Sequence, residues 1–421
     1  MKDIHNYLLI SVCLAFILLA SACNNNFKSK VYNISQSDRE ASCVFLTKDE
    51  KDNPIISWVE KDSSNKKHFF FSKYLKGQEK FDSPIAIPIE QNATTHSEGG
   101  PKIAVKGNGT IFALYEISIP KPERKWGIGD LRYVQSSDNG KTWTEPKSIS
   151  SEPSTQDLSA NFSNLIRLKD GEIGITWLGT HPENKEVEMN HNMENLDHGS
   201  MNISLGRPVM FSKTIGNDSI SKPIFITTSA CECCRTALST NENGNIMVVF
   251  RGLRANNIRD ITYSISENGG KRFSLPYSFS NDQWALDACP HAGPSIISNN
   301  EKIYVSWFTG AQKNKGVNFA SLESDGVIKE KKLVDSNAKF SQINMLSNGM
   351  PIITFDETFK KDDQIYSRIM IATENGNEFI KYEVSKSNSQ SRLPVMQTLK
   401  DDTIVIAWID NNTIFYRTLK L

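Results

Sequence analysis

"IVIAWID", residues 404–410, is a short apolar run that ends on an aromatic and then an acid. Six runs of the same form precede it: "IISWVE" with Trp58, "IFALYE" with Tyr115, "IGITWLG" with Trp177, "MVVFRG" with Phe250, "YVSWFTG" with Trp307 and "IITFDE" with Phe355. They recur every ~50 to 70 residues, and a period of that size outranks local assignments. Before most copies stands another strand and a tight turn, as in "VKGNGT", "LKDGE", "TNENGN" and "LSNGM". Those turns use the Gly, Asn and Asp residues that tolerate the positive φ of hairpins. After each copy a polar loop leads to a further strand, such as "HFFFSKY", "LRYVQSS" or "DITYSIS". No stretch has a 3.6-residue apolar period, so helix is expected to be nearly absent. Four strands per repeat, seven times over, reads as an all-β propeller of four-stranded blades; six blades plus an irregular one is the alternative count. The last repeat, from Arg392 onward, carries only three strands, and "KVYNIS" at 30–35 is a lone strand ahead of the first full repeat. Pairing that strand into the last blade would close the ring and remove an open edge.

The turns between third and fourth strands carry a second pattern. "SSDNGKTW", Ser136 to Trp143, reads S-x-D-x-G-x-T-W, and "SENGGKRF", Ser266 to Phe273, repeats it with Asn268 in the acidic position. "FSKYLKGQEKFDSP" (71–84) and "FSKTIGNDSISKP" (211–223) look like decayed copies. This is the Asp box of bacterial neuraminidase (BNR) repeats, and the chain resembles the sialidase superfamily over most of its length. The resemblance implies a structural role: the polar side chain caps the turn and the aromatic packs between strands. Ser136, Asp138, Gly140 and Trp143, with Ser266, Asn268, Gly270 and Phe273, are therefore assigned to the fold.

The N-terminus bears on the compartment. "MKDIHNYLLISVCLAFILLASAC" has Lys2, an apolar core from Tyr7 to Ala20, and small residues before Cys23. The core is too short for a membrane span and has the form of a secretory leader. "LLASAC" resembles a bacterial lipobox, whose cysteine is lipidated; cleavage near Ala22 without lipidation is the alternative. The expected division is a leader over 1–22, a lipidated tether over 23–30 and the propeller over 31–421. The expected location is the bacterial cell envelope, on the periplasmic side or the cell surface, with the lipid as sole membrane contact. Formal net charge is zero and 23% of residues are charged. With no basic stretch either, nucleic acid is excluded as a partner, and a monomer is expected.

Propeller topology sorts the loops onto two faces. Asp-box turns lie on one; inter-blade loops and those between second and third strands share the other, where sialidase-like proteins hold their ligand. On that second face fall "TSACECCRTALS" (228–239), entering blade four, and "DACPHAGPS" (287–295), entering blade five. They carry Cys231, Cys233, Cys234, Cys289 and His291. The long loop of blade three, "THPENKEVEMNHNMENLDHGSMNIS" (180–204), adds His181, Met189, His191, Met193, His198 and Met201. With His96, that face collects five of the seven histidines. The loop resembles the Met/His-rich tracts of bacterial copper-resistance proteins. Thioether, imidazole and thiolate suit copper, and thiolate suits Cu(I) or zinc. Exported thiols are ordinarily oxidised, so a disulfide from the triplet to Cys289 is the competing expectation. Beyond Cys13 and Cys23, Cys43 makes the number of thiols odd.

A sialidase needs three arginines around the substrate carboxylate, a tyrosine nucleophile with a glutamate, and an aspartic acid/base. Blade one, "ASCVFLTKDEKDNPIISWVE", has no arginine; Arg207, Arg235, Arg254 and Arg259 cluster in blades three and four. Arg235, Arg254, Arg259 and Asp260 would bind an anion or pair internally. Tyr366 and Tyr416 lie in late blades without an assignable glutamate. The resemblance thus implies the fold and leaves the catalytic residues unassigned. Two functions follow: an envelope lipoprotein that binds copper or another soft metal, or a sialidase-like glycoside hydrolase or glycan-binding protein.

Overall fold

The computed structural model describes residues 27, 29–122, 124–149, 159–180, 206–324 and 326–421. The leader, Cys23 and residues 181–205 of the Met/His loop region lie outside the described residues. Seven antiparallel sheets form the molecule. Their innermost strands are Glu40–Lys48, Lys102–Val105, Asn161–Arg167, Ala237–Thr240, Ser295–Ser298, Ala338–Met345 and Ser391–Thr398. Each touches the next around a ring, and between last and first the Gln397 amide donates to the Leu46 carbonyl at 3.3 Å. Val31–Asn33 pairs antiparallel with Thr413–Leu419 and supplies the fourth strand of the last blade. The count is seven blades, closed by the N-terminal strand. Helix among the described residues is confined to three single turns.

The repeated aromatic run is the second strand of each blade, buried on both faces because neighbouring blades stack against it. One apolar cluster fills each of the seven interfaces between adjacent blades. Trp58 and Trp307 are wholly buried. Their indole N–H groups donate to Glu60 at 2.8 Å and Asp282 at 2.7 Å, which removes the penalty of burying a polar atom. Burial of such side chains contributes roughly 1.5–3 kcal/mol each.

Both full Asp boxes fold alike. Asp138 accepts from the Thr142 N–H at 2.9 Å, the Thr142 hydroxyl at 2.6 Å and the Ser136 hydroxyl at 2.8 Å. Those bonds, the Thr142 hydroxyl first, hold the Asp138 carboxyl down at about 2. Gly140, at φ 85°, turns the chain so that its N–H reaches Ser136. Asn268 accepts from the Arg272 N–H at 2.9 Å in the second copy. Trp143 meets Phe71 of the preceding blade edge-on at 6.2 Å, and Phe273 meets Phe211 at 5.1 Å. Where the motif has decayed, the turn becomes a short hairpin, pairing Tyr74 with Phe81 and Thr214 with Ile220.

Around the axis four innermost strands bulge at a residue with positive φ: Cys43 (53°), Phe162 (54°), Phe340 (45°) and Leu393 (55°). A bulge breaks the ladder and leaves backbone N–H groups to be satisfied elsewhere. Two of them are met by an acid from within the preceding blade's second strand. Glu116 accepts from the Phe162 N–H at 3.4 Å, and Asp356 from the Leu393 N–H at 3.1 Å. Cys43, Phe340 and Leu393 line a central cavity of about 360 Å³.

Candidate functional site

The triplet Cys231, Cys233 and Cys234 sits in the loop between Ile224–Ala230, the outer strand of blade three, and Ala237–Thr240. All three side chains are buried and pack together against Phe162, separately from the blade-interface cores. Cys231 Sγ lies 3.8 Å from the Cys233 sulfur and 3.6 Å from that of Cys234. The Arg259 guanidinium donates to Cys231 Sγ at 2.8 Å. Contacts from Cys233 and then Cys234, reinforced by Arg259, pull the Cys231 thiol far below its ordinary range. The same sulfur contacts push Cys233 up, and burial does so for Cys234. The Arg259 guanidinium therefore favours the thiolate form at Cys231.

Cys289 and His291 approach from the next inter-blade loop. The donor atoms of Cys231, Cys233 and Cys234 lie within 4.8 Å of one another, as do those of Cys233, Cys289 and His291. Cys233 belongs to both sets. His291 takes a positive φ of 46°, and its buried Nδ1 has no hydrogen-bond partner. His96 stands beside it, ring centroids 4.8 Å apart; partial burial and then His291 lower its pKa. The disulfide expected between the triplet and Cys289 is not formed. Cys43, Cys231, Cys233, Cys234 and Cys289 are all free.

Sequence reading missed the residue that ties these loops together. Glu98, wholly buried, accepts from the Arg235 N–H at 3.0 Å and the Gly293 N–H at 2.8 Å, and pairs with the Arg235 guanidinium. One carboxylate thus joins the chain just after Cys234 to the chain just after His291. Gly293 has to be glycine, since a Cβ there would stand 2.5 Å from Arg235 and 2.9 Å from Glu98. An acid within the glycine-rich "HSEGGP" was the available signal. Cys43, on the innermost strand of blade one, lines the same central cavity as Glu98, Lys102 and Arg235. Burial pushes its thiol up to about 11 and the Lys102 amine down to about 8.

The arginines are engaged within the fold. Arg254 pairs with Asp260, whose other oxygen accepts the Gln283 N–H at 2.9 Å. Arg259 also donates to the Leu286 carbonyl at 3.0 Å, and Arg207 to the carbonyls of Gly179 and Leu178 at 2.7 and 2.8 Å. Buried Arg251, read from sequence only as part of a strand, bonds the Ala292 and Phe308 carbonyls at 2.9 and 2.7 Å. Of all arginines, Arg167 and Arg235 line the cavity, and Arg167 is held by Asp52 at 2.9 Å. Tyr366 bonds Gln364, and Tyr416 is buried between the last and first blades. Three arginines and a tyrosine–glutamate pair do not converge on the axis among the described residues. His191, Met193, His198 and Met201 lie outside them.

Residues 71–322, more than half of the chain, match the BNR repeat-like domain. The chain belongs to this BNR repeat-like family. Its blade count and Asp boxes are those of sialidase-like propellers. The intramolecular trans-sialidase of Ruminococcus gnavus, solved with oseltamivir carboxylate, is 9% identical, with 93% of this chain and 97% of that one covered and a TM-score of 0.50. A PL25 polysaccharide lyase, an ulvan lyase, is likewise 9% identical over 93% of this BNR chain and 98% of its own, at a TM-score of 0.56. A Dyadobacter fermentans protein of unknown function is 17% identical over 80% of this chain and 97% of its own, at 0.47. Such likenesses are of fold. No curated protein matches this BNR chain.

Proposed function

We propose that this protein is an envelope lipoprotein, anchored through Cys23, that binds copper(I) through the thiols and imidazole gathered at the mouth of its propeller. The observation that carries the reading is the overlap of two donor sets, Cys231–Cys233–Cys234 and Cys233–Cys289–His291, each within 4.8 Å. Thiolate and imidazole are soft and borderline donors, suited to Cu(I). A partnerless buried His291 nitrogen on a backbone of positive φ is the further support. Such strain costs about 1–3 kcal/mol and gathers at functional sites. The Met and His residues between His181 and Met201 would add further soft donors.

The test is a titration of the anaerobically reduced full chain with Cu(I) against a competing chelator. Wild type is expected to take up the ion. Cys233→Ser is expected to weaken uptake by more than ~100-fold, beyond the 10–100-fold typical of losing an outer-shell partner. A wild-type protein that leaves all copper with the chelator overturns the reading.

A glycan ligand is the second reading, favoured by the cavity of about 360 Å³ lined by Glu98, Lys102 and Arg235. Its fold is shared with a trans-sialidase and an ulvan lyase. Screening the metal-free protein against sialylated and uronate-containing oligosaccharides tests it; no binding to either class rejects it.

A further inference from the structure

Resting on that copper reading, we infer that the site holds two monovalent metal ions bridged by the thiolate of Cys233. Five donors exceed the four of a closed tetrahedral site. Nor do they form one group: Cys289 and His291 share the 4.8 Å neighbourhood of Cys233 but do not join the set with Cys231 and Cys234. Two sets of three use every donor and share only Cys233.

The inner set fits an ion with little rearrangement. Metal–thiolate bonds of about 2.3 Å place trigonal sulfurs about 4 Å apart, and Cys231 stands 3.8 and 3.6 Å from its partners. This position is dry, since all three cysteines are buried. The outer set opens to solvent through exposed Cys289, which gives the ions a route inward past the bridge. His96 is excluded as a ligand in its present rotamer. Its Nδ1 accepts the Glu98 N–H at 3.2 Å, which leaves the proton on Nε2.

Charge selects the ion. The four thiolates of Cys231, Cys233, Cys234 and Cys289 with two monovalent cations carry a net double negative charge. Arg259, 2.8 Å from Cys231, and buried Arg251, whose charge acts on Cys234, offset it. Two divalent ions would make the cluster neutral and leave both arginines uncompensated, which is costly in a dry site. As each sulfur–metal bond forms, a thiol still protonated releases its proton to solvent. No electron is transferred when the ion is supplied as Cu(I).

The experiment is a Cu(I) titration of the reduced full chain carrying alanine at His191, Met193, His198 and Met201, so that ions on that loop are not counted. Elemental analysis and X-ray absorption at the edge of the metal supplied read the product, and Ag(I) serves as a redox-inert second probe. Two ions per chain with a metal–metal vector are expected from either probe. Cys289→Ser combined with His291→Ala should retain one ion in a sulfur-only shell. One ion per chain without a metal–metal vector overturns the bridged pair while the copper reading stands. No uptake overturns both.

Discussion

Glu98→Ala is expected to destabilise the metal-free protein by about 3–5 kcal/mol, the usual cost of leaving a buried partner charge uncompensated. The carboxylate is wholly buried, and the Arg235 side chain it holds is 13% exposed. Its removal leaves that guanidinium and the N–H groups of Arg235 and Gly293 without their acceptor. For a domain whose whole stability is of order 5–15 kcal/mol, this is a large fraction. The two donor loops would also lose their common tie, so Cu(I) affinity should fall by about 10–100-fold. Glu98→Gln keeps one acceptor oxygen and should lose less on both counts. Urea unfolding of the three proteins, paired with chelator competition, checks this. An unchanged midpoint in Glu98→Ala would show that the carboxylate carries no such load.

Glu98 also marks where sequence reading stops. The aromatic strands are legible because each blade must bury the same strand between two neighbours, so Trp58, Trp177, Trp307 and Trp408 recur in the same local pattern. Asp138 is legible because all its hydrogen bonds close within four residues of it. Even the meeting of Cys233 with Cys289 follows from topology, since consecutive inter-blade loops share a face. Glu98, by contrast, bonds residues 137 and 195 positions away, and no local spacing encodes that. Cys43, on blade one as its place in the sequence implies, shows the same limit. Its bulge turns it toward the axis, where every blade is near, although its blade is remote along the chain. Arg254 pairs internally with Asp260, as one of the two sequence readings has it, whereas Arg207 and Arg251 are fixed by backbone carbonyls; a sequence does not display where carbonyls go unpaired.

Asp356→Asn is expected to make the protein more stable at pH 8 by up to about 4 kcal/mol and to leave it unchanged near pH 4. Asp356 is 4% exposed within the second strand of its blade, Pro351–Lys361, where it satisfies the N–H of the bulged Leu393. Burial pushes its carboxyl up from 3.8 to about 7, against the weaker pull of the Leu393 N–H, Lys339 and Arg392. A raised carboxyl pKa means that the folded state holds the proton more tightly than the unfolded chain does. The stabilisation is therefore complete below about 4 and is lost as pH rises through about 7, at about 1.4 kcal/mol per pH unit between the two values. Asparagine keeps the carbonyl oxygen for Leu393 and never ionises, so the variant lacks this slope. Unfolding by urea at pH 4, 6 and 8 gives the difference between the two proteins, in which other titrating groups cancel. A difference that stays flat across that range would mean Asp356 ionises as it would in water, with Lys339 and Arg392 strong enough to cancel its burial. A growing difference would show that the bulge at the axis is capped by a neutral acid at low pH and by a costly buried charge at high pH.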